Sequence, residues 1–176
     1  VVMEVSSHAL DQNRVGGCHF NGAVLTNLTQ DHLDYHITMD TYFKAKSILF
    51  KNLQEGNFAV INADDQYCER FLSVIPEGVK KFTYGVKNNA DIMAKDISYG
   101  ENTSYKYSDT LINLNVGGEA FIYNSMLAIA AGKELGLSME EIKKGIESFE
   151  LTKNRLQTYN VNGYKIIDET YNANYD

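Results

Sequence analysis

The chain has 176 residues, 44% hydrophobic and 22% charged, with a net charge of −7. That is enough for one good core and part of a second unit, and the negative balance argues against non-specific binding to nucleic acid or an anionic membrane surface. There is no basic run, no apolar stretch of membrane-spanning length and no signal peptide, and Cys18 and Cys68 stand far apart without CxxC spacing, as reduced thiols of a cytosolic protein would.

In chain order, "VVMEV" (Val1–Val5) reads as an apolar strand that runs into "MEVSSHALDQNR" (Met3–Arg14). A strand that only filled a core would not end in a glutamate, two serines and a histidine, so this stretch reads as the rim of an active site. A carboxylate in an apolar strand is costly unless paired or on a metal. Glu4 therefore stands where the acidic residue of a Walker B strand would, the alternative being an edge-strand glutamate facing water. "GAVLTNL" (Gly22–Leu28) and "NFAVINADD" (Asn57–Asp65) are two further buried runs that end in polar residues. Near-continuous apolar runs separated by helical patterns predict an α/β fold, a mostly parallel sheet covered on both faces by helices. In such sheets ligands bind beyond the carboxyl ends of the strands.

"TNLTQDHLDYH" (Thr26–His36) places Asp31, His32, Asp34 and His36 just past a strand. The residues suit either a solvated loop or a metal site, with magnesium or zinc equally open. "TMDTYFKAKSILFKNL" (Thr38–Leu53) has a Thr cap and helical periodicity. Tyr42, Ala45, Leu49 and Leu53 form its apolar stripe, and Lys46 falls inside it while Lys44 and Lys51 face outward. One reading of Lys46 is snorkelling. The other is a desolvated amine with a depressed pKa, able to add carbon dioxide and become an anionic carbamate.

"DIMAKDISYGENTSYKYSDTLINLNVGG" (Asp91–Gly118) predicts appended antiparallel strands. "AFIYNSMLAIAAGKELG" predicts a buried helix stopped by Gly136, with Asn124 near its opening. "SMEEIKKGIESF" predicts a helix with a Ser138/Glu141 capping box. "LQTYNVNGYKIID" predicts a hairpin turning at Asn162-Gly163. Both ends read as cut within or next to strands, as in a piece of a longer enzyme. No GxxxxGK(S/T) motif occurs, so a phosphate cradle is expected upstream of Val1 and the chain alone is expected to be inactive.

Together, "MEVSSHAL.Q.R", "TNLTQDHLDYH.TM..Y..AK..LF", "INADD", "YG", "YN..LAIAA" and "NRLQ" resemble the Mur ligases, in family order and over nearly the whole chain. The pattern is most similar to the MurE-type branch, which adds the third amino acid of the peptidoglycan stem peptide. The resemblance implies a P-loop NTPase-like central domain over residues 1–157 and the start of a C-terminal domain over 158–176. It implies a cytoplasmic, monomeric, ADP-forming acid–amino-acid ligase that uses ATP and Mg2+. Its partners would be a UDP-N-acetylmuramoyl dipeptide and lysine or diaminopimelate, with no nucleic acid or membrane partner. By position it makes Glu4 and His32 magnesium ligands and Lys46 the carbamylated lysine that joins them in catalysis. Ser6, Gln12 and Arg14 become substrate contacts, and Asn124, Arg155 and Asp168 nucleotide contacts. The "DETYNANYD" tail is closer to the MurF-type branch. A MurF-like, folylpolyglutamate or cyanophycin-type ligase, or a Mur-like binding domain without catalysis, are the alternatives.

Overall fold

The computed structural model describes residues 1–100, 102–151 and 157–168. At its centre is β2 (Phe58–Asn62), with all five residues buried. Side chains alternate across a strand, so Phe58 and Val60 enter one core while Ala59 and Ile61 enter the other. That double burial is why the sequence here is a continuous apolar run rather than an alternating one. β1 (Gly22–Val24) and β3 (Lys80–Gly85) flank β2, and β4 (Ile92–Met93) joins β3. All pairings are parallel, in the order β1-β2-β3-β4.

Two helices cover one face. α3 (Met39–Lys51) connects β1 to β2, and α4 (Cys68–Val74) connects β2 to β3. Phe71 of α4 packs edge-on against Phe43 and Phe50 of α3. The other face is covered by α5 (Glu119–Glu134) through Ile122, Met126 and Ile129. The same core takes in Tyr105, Ile112 and Leu114 from an antiparallel sheet of β5 (Lys95–Ser98), β6 (Thr103–Tyr107) and β7 (Thr110–Leu114). α6 (Met139–Glu147) contributes Ile142. Gly132 lets α6 approach α5, because a Cβ there would lie 2.8 Å from an Ile142 side-chain carbon. β8 (Gln157–Val161) and β9 (Tyr164–Asp168) form the hairpin, turning at Asn162 and Gly163 with φ of 51° and 82°. The parallel sheet, the appended antiparallel strands, the Ser138/Glu141 capping box and the Asn-Gly turn all match the expectations from sequence.

The first predicted strand does not form. Residues 1–6 join no ladder, and Val1, Val2 and Met3 are exposed. A strand exists through its neighbours' hydrogen bonds, and among the described residues none pairs with this segment or with the outer edge of β1. Glu4 is accordingly exposed, so the argument that it is a carboxylate forced into an apolar environment does not hold. α1 (Ser7–Asp11) follows at once, capped by the Ser6 hydroxyl, which accepts from the Ala9 N–H at 3.1 Å.

Gly22 sits opposite Phe58 in the β1–β2 register, and a Cβ on it would lie 2.2 Å from the Phe58 ring. Overpacking of this kind costs about 1–3 kcal/mol. Gly22→Ala is therefore expected to lower the urea midpoint with an unchanged m-value, and an unshifted midpoint would show that the ring has room to move.

Candidate active site

The carboxyl ends of the first three parallel strands are tied together by side chains that follow them. Asn62 donates to the Thr26 carbonyl at 2.9 Å and accepts from the Asp64 N–H. Tyr84, fully buried, donates to the carbonyls of Leu25 and Thr26. Asp65 accepts from the Leu28 N–H at 2.6 Å and from the Tyr67 N–H at 2.7 Å. These bonds hold Leu25–Leu28 against the end of β2 and orient the Asn27 carbonyl toward α3.

Lys46 meets that carbonyl. Its Nζ donates to Asn27 O at 3.4 Å and lies 5.2 Å from the centre of the Tyr42 ring. The inward direction read from the helix stripe is the one observed, while Lys44 on the outer face pairs with Asp40. Burial lowers the Lys46 pKa below its ordinary value, against the opposing charges of Asp65, Asp31 and Glu4. The amine is thus short of solvent, while the charges of three carboxylates favour its cation.

His32 approaches the same Tyr42 ring edge-on at 6.0 Å. Its backbone N–H donates to Asp31 Oδ1 at 2.7 Å. Its φ of 54° starts the short helix α2 (Leu33–His36), and Ile37, at φ 66°, ends it. A β-branched residue in the left-handed region is strained, so contacts must hold the turn. Thr41 Oγ1 donates to the His36 carbonyl, and Thr38 and Thr41 form a capping box at the start of α3. Tyr42 is itself buried, and burial together with the Asp31 charge pushes its hydroxyl pKa up to about 12.

The rim beside this mouth is aromatic and histidine-rich. The His8 ring lies 5.0 Å from His32, 4.2 Å from Tyr35 and 5.5 Å from His36. Tyr35 donates to Asp11 at 2.7 Å and accepts from Gln12 at 3.3 Å, and Gln12 in turn accepts from Arg14 at 2.5 Å. Gln12 and Arg14 thus stand together on one exposed edge, with Ser6 at the head of α1 serving as its cap. His36 is buried, stacked on Tyr42, and shares a 2.8 Å hydrogen bond with Ser7.

Asn124 lies elsewhere. α5 begins at Glu119 with Gly118 as its cap, so Asn124 is an exposed residue of the second turn. It lines an apolar groove of about 450 Å³ with Phe121, Leu137, Ile142 and Phe149. Asp168 closes β9 opposite Gln157, and Arg155 lies outside the described residues. Among the described residues no three His, Cys, Asp or Glu side chains cluster closely enough to hold a metal. Glu4, which is exposed, and His32 offer one carboxylate and one imidazole, short of a metal-holding cluster among the described residues. No described helix is long and apolar enough to cross a membrane.

The sequence marks Asp64 only as part of the polar end of β2, with no role of its own. Asp64 accepts from the N–H groups of Val86, Lys87 and Asn88 and from the Tyr123 hydroxyl at 2.7 Å. Burial alone would raise its pKa, but these four donors outweigh it and hold the carboxyl below the usual range. The polar "NADD" ending β2 was the available signal, yet nothing local showed which acid faced which loop.

His36 gives a pH prediction. Burial, then the neighbouring His8, lowers its pKa below 6.5, with Asp11 and Asp34 opposing and His32 adding to the lowering. Between the folded and unfolded values the unfolded chain holds more protons, so stability rises with pH through that window and is lost as pH falls below 6.5. Thermal midpoints should fall between about pH 7.5 and about pH 5.5. His36→Gln should flatten that slope, and an equal slope in the variant would remove His36 as its source.

Comparison with known proteins adds identity to this geometry. UDP-N-acetylmuramoyl-L-alanyl-D-glutamate--2,6-diaminopimelate ligase of Synechococcus elongatus is 43% identical over 166 residues, which are 89% of this chain and 32% of that protein. A solved structure of a UDP-N-acetylmuramoyl-L-alanyl-D-glutamate--2,6-diaminopimelate ligase superposes with a TM-score of 0.77 at 28% identity, covering 89% of this chain and 34% of the other. The MurF ligase of Thermotoga maritima, in complex with ADP, superposes at 0.73 over 96% of this chain and 39% of that one, with 21% identity. The chain thus spans about a third of the length of the curated relatives it matches. Residues 1–132 match the Mur ligase middle domain, and the chain belongs to that family.

Proposed function

We propose that this chain is the central segment of an ATP-dependent ligase that joins diaminopimelate to UDP-N-acetylmuramoyl-L-alanyl-D-glutamate in peptidoglycan synthesis. The 43% identity to the Synechococcus elongatus protein carries this reading, and the position of Lys46 at the mouth of the sheet supports it. Residues 1–157 would belong to the central domain and 158–176 would open the next one.

The reaction requires two transfers. The substrate carboxylate attacks the γ-phosphorus of ATP, forming an acyl phosphate and releasing ADP. The amine of the incoming amino acid then attacks the acyl carbon. A tetrahedral intermediate forms, loses a proton from nitrogen and expels inorganic phosphate to leave the amide. Charge neutralisation by magnesium is the chemistry that Glu4 and His32 would hold in place. Gln12 and Arg14 would meet the anionic dipeptide substrate at the rim, and Arg14 has the fork geometry for a carboxylate or phosphate. Asn124 would hydrogen-bond a nucleobase seated in the α5–α6 groove, with Arg155 and Asp168 completing the nucleotide site.

Lys46 has a defined part. In the neutral form that burial favours, its Nζ can bond to the carbon of carbon dioxide, releasing one proton and leaving a carbamate. Asp65, Asp31 and Glu4 oppose a further anion there, so the carbamate gains its stability from positive charge bound beside it.

The test is ADP release by the complete polypeptide containing this chain. Release should require the UDP-linked dipeptide and diaminopimelate together, with lysine failing to substitute. Lys46→Ala should lower the rate about a hundredfold, and bicarbonate should leave the variant unchanged. Release that prefers lysine would reassign the amino acid. No release at all, or full activity in the variant, would overturn the reading or the role of Lys46 respectively.

A further inference from the structure

α5 meets the acid just beyond β2 through the 2.7 Å hydrogen bond from the Tyr123 hydroxyl to Asp64 Oδ2, and its first residue, Glu119, pairs with Lys87 of the β3–β4 loop at 3.2 Å. The Asp64 carboxylate is otherwise gripped by three successive backbone N–H groups, those of Val86, Lys87 and Asn88, at 2.6–3.0 Å. Gly85 makes room for this, since a Cβ there would lie 3.1 Å from Asp64 Oδ2. A backbone concavity of this kind suits an anion, and here the chain fills it with its own carboxylate. Asp64 is therefore fixed, and the tyrosine that binds it is fixed in turn.

What lies on either side of this bond gives it significance. On one side, Tyr123 precedes Asn124, which lines the apolar groove between α5 and α6. On the other side, Asp64 precedes Asp65, which holds the Leu28 N–H at 2.6 Å. One residue before Leu28 is Asn27, whose carbonyl receives Lys46. A continuous path of hydrogen bonds and adjacent residues thus links the groove to the buried lysine. α5 has other polar attachments. Tyr105 of β6 shares a 2.8 Å bond with Ser125, which also borders the groove, whereas the Tyr107 hydroxyl accepts from Lys133 at 3.0 Å, away from both the groove and Asp64.

We propose that Tyr123 and Asp64 are positioning residues that set the nucleotide groove of α5 in register with the mouth of the sheet. The proposal rests on the ligase reading and on Asn124 as a nucleotide contact. The Tyr123 hydroxyl touches no reacting group. It acts by fixing the turn of α5 that carries Asn124 at one distance from the Asn27–Lys46 contact.

The test compares Tyr123→Phe with Tyr107→Phe in the complete polypeptide. Each removes one hydroxyl that ties down α5, and Tyr123→Phe leaves Asp64 its three backbone donors. Losing a hydrogen bond to a charged group is expected to raise the KM for ATP and the Kd for ADP about tenfold in Tyr123→Phe. The KM for the UDP-linked dipeptide should stay unchanged. Tyr107→Phe, which frees Lys133 at the other end of α5, should leave ADP affinity alone. Unchanged ADP affinity in Tyr123→Phe, or an equal loss in both variants, would overturn the positioning role while the ligase reading stands. A wild-type polypeptide that neither binds ADP nor releases it from ATP would remove the ligase reading itself, and the proposal with it.

Discussion

Every layer of this fold leans on β2. Its alternating side chains supply the centre of two separate cores, one with α3 and α4 and one with α5 and the antiparallel strands. Removing apolar surface from water on both sides is the main stabilising force available to so short a strand. It also has a directional result. A strand locked on both faces delivers Asn62, Asp64 and Asp65 to a fixed place, and the polar contacts at the mouth can be short because the strand beneath them cannot shift.

The mouth itself is a problem in electrostatics. An ammonium group is half removed from water, and three carboxylates lie near enough to act on it. Burial favours the neutral amine and the carboxylates favour the cation, so its protonation is set by a balance between opposing effects. Such a balance is easily moved by one added charge, which distinguishes this lysine from Lys44 and its ordinary surface pairing with Asp40. The centre of the Tyr42 ring lies 5.2 Å from the Lys46 Nζ, and His32 meets that ring edge-on.

Much of this was legible in the sequence, for reasons that can be named. β2 announced itself as an unbroken apolar run, and the Tyr42–Leu49 spacing placed Lys46 on the inner side of its helix. The capping box at Ser138 and the Asn162-Gly163 turn are local chemistry, so they survive without tertiary information. What was missed depends on distant partners. β3 is only half buried and opens with Lys80 and Lys81, so its sequence lacks the pattern of a core strand and is recruited by β2. The Val1–Val5 segment shows the reverse error: a strand-like composition with no described neighbour to pair with. Asp64 looked interchangeable with Asp65 until folding sent one to the β3–β4 loop and the other to Leu28. The helix predicted from Ala120 begins at Glu119, which puts Asn124 in its second turn.

The open edge of β1 has a consequence for how the chain behaves in solution. Its outer N–H and C=O groups have no described strand beside them, Val24 is partly exposed, and the apolar Val1–Met3 stretch is exposed too. An unpaired edge is a template for another chain, while a net charge of −7 keeps copies apart. That repulsion reaches only about 8 Å at physiological ionic strength, and strand pairing operates at closer range. Colloidal stability of the isolated chain is therefore a function of salt: dilute buffer keeps it dispersed, and added electrolyte lowers the concentration at which edges meet.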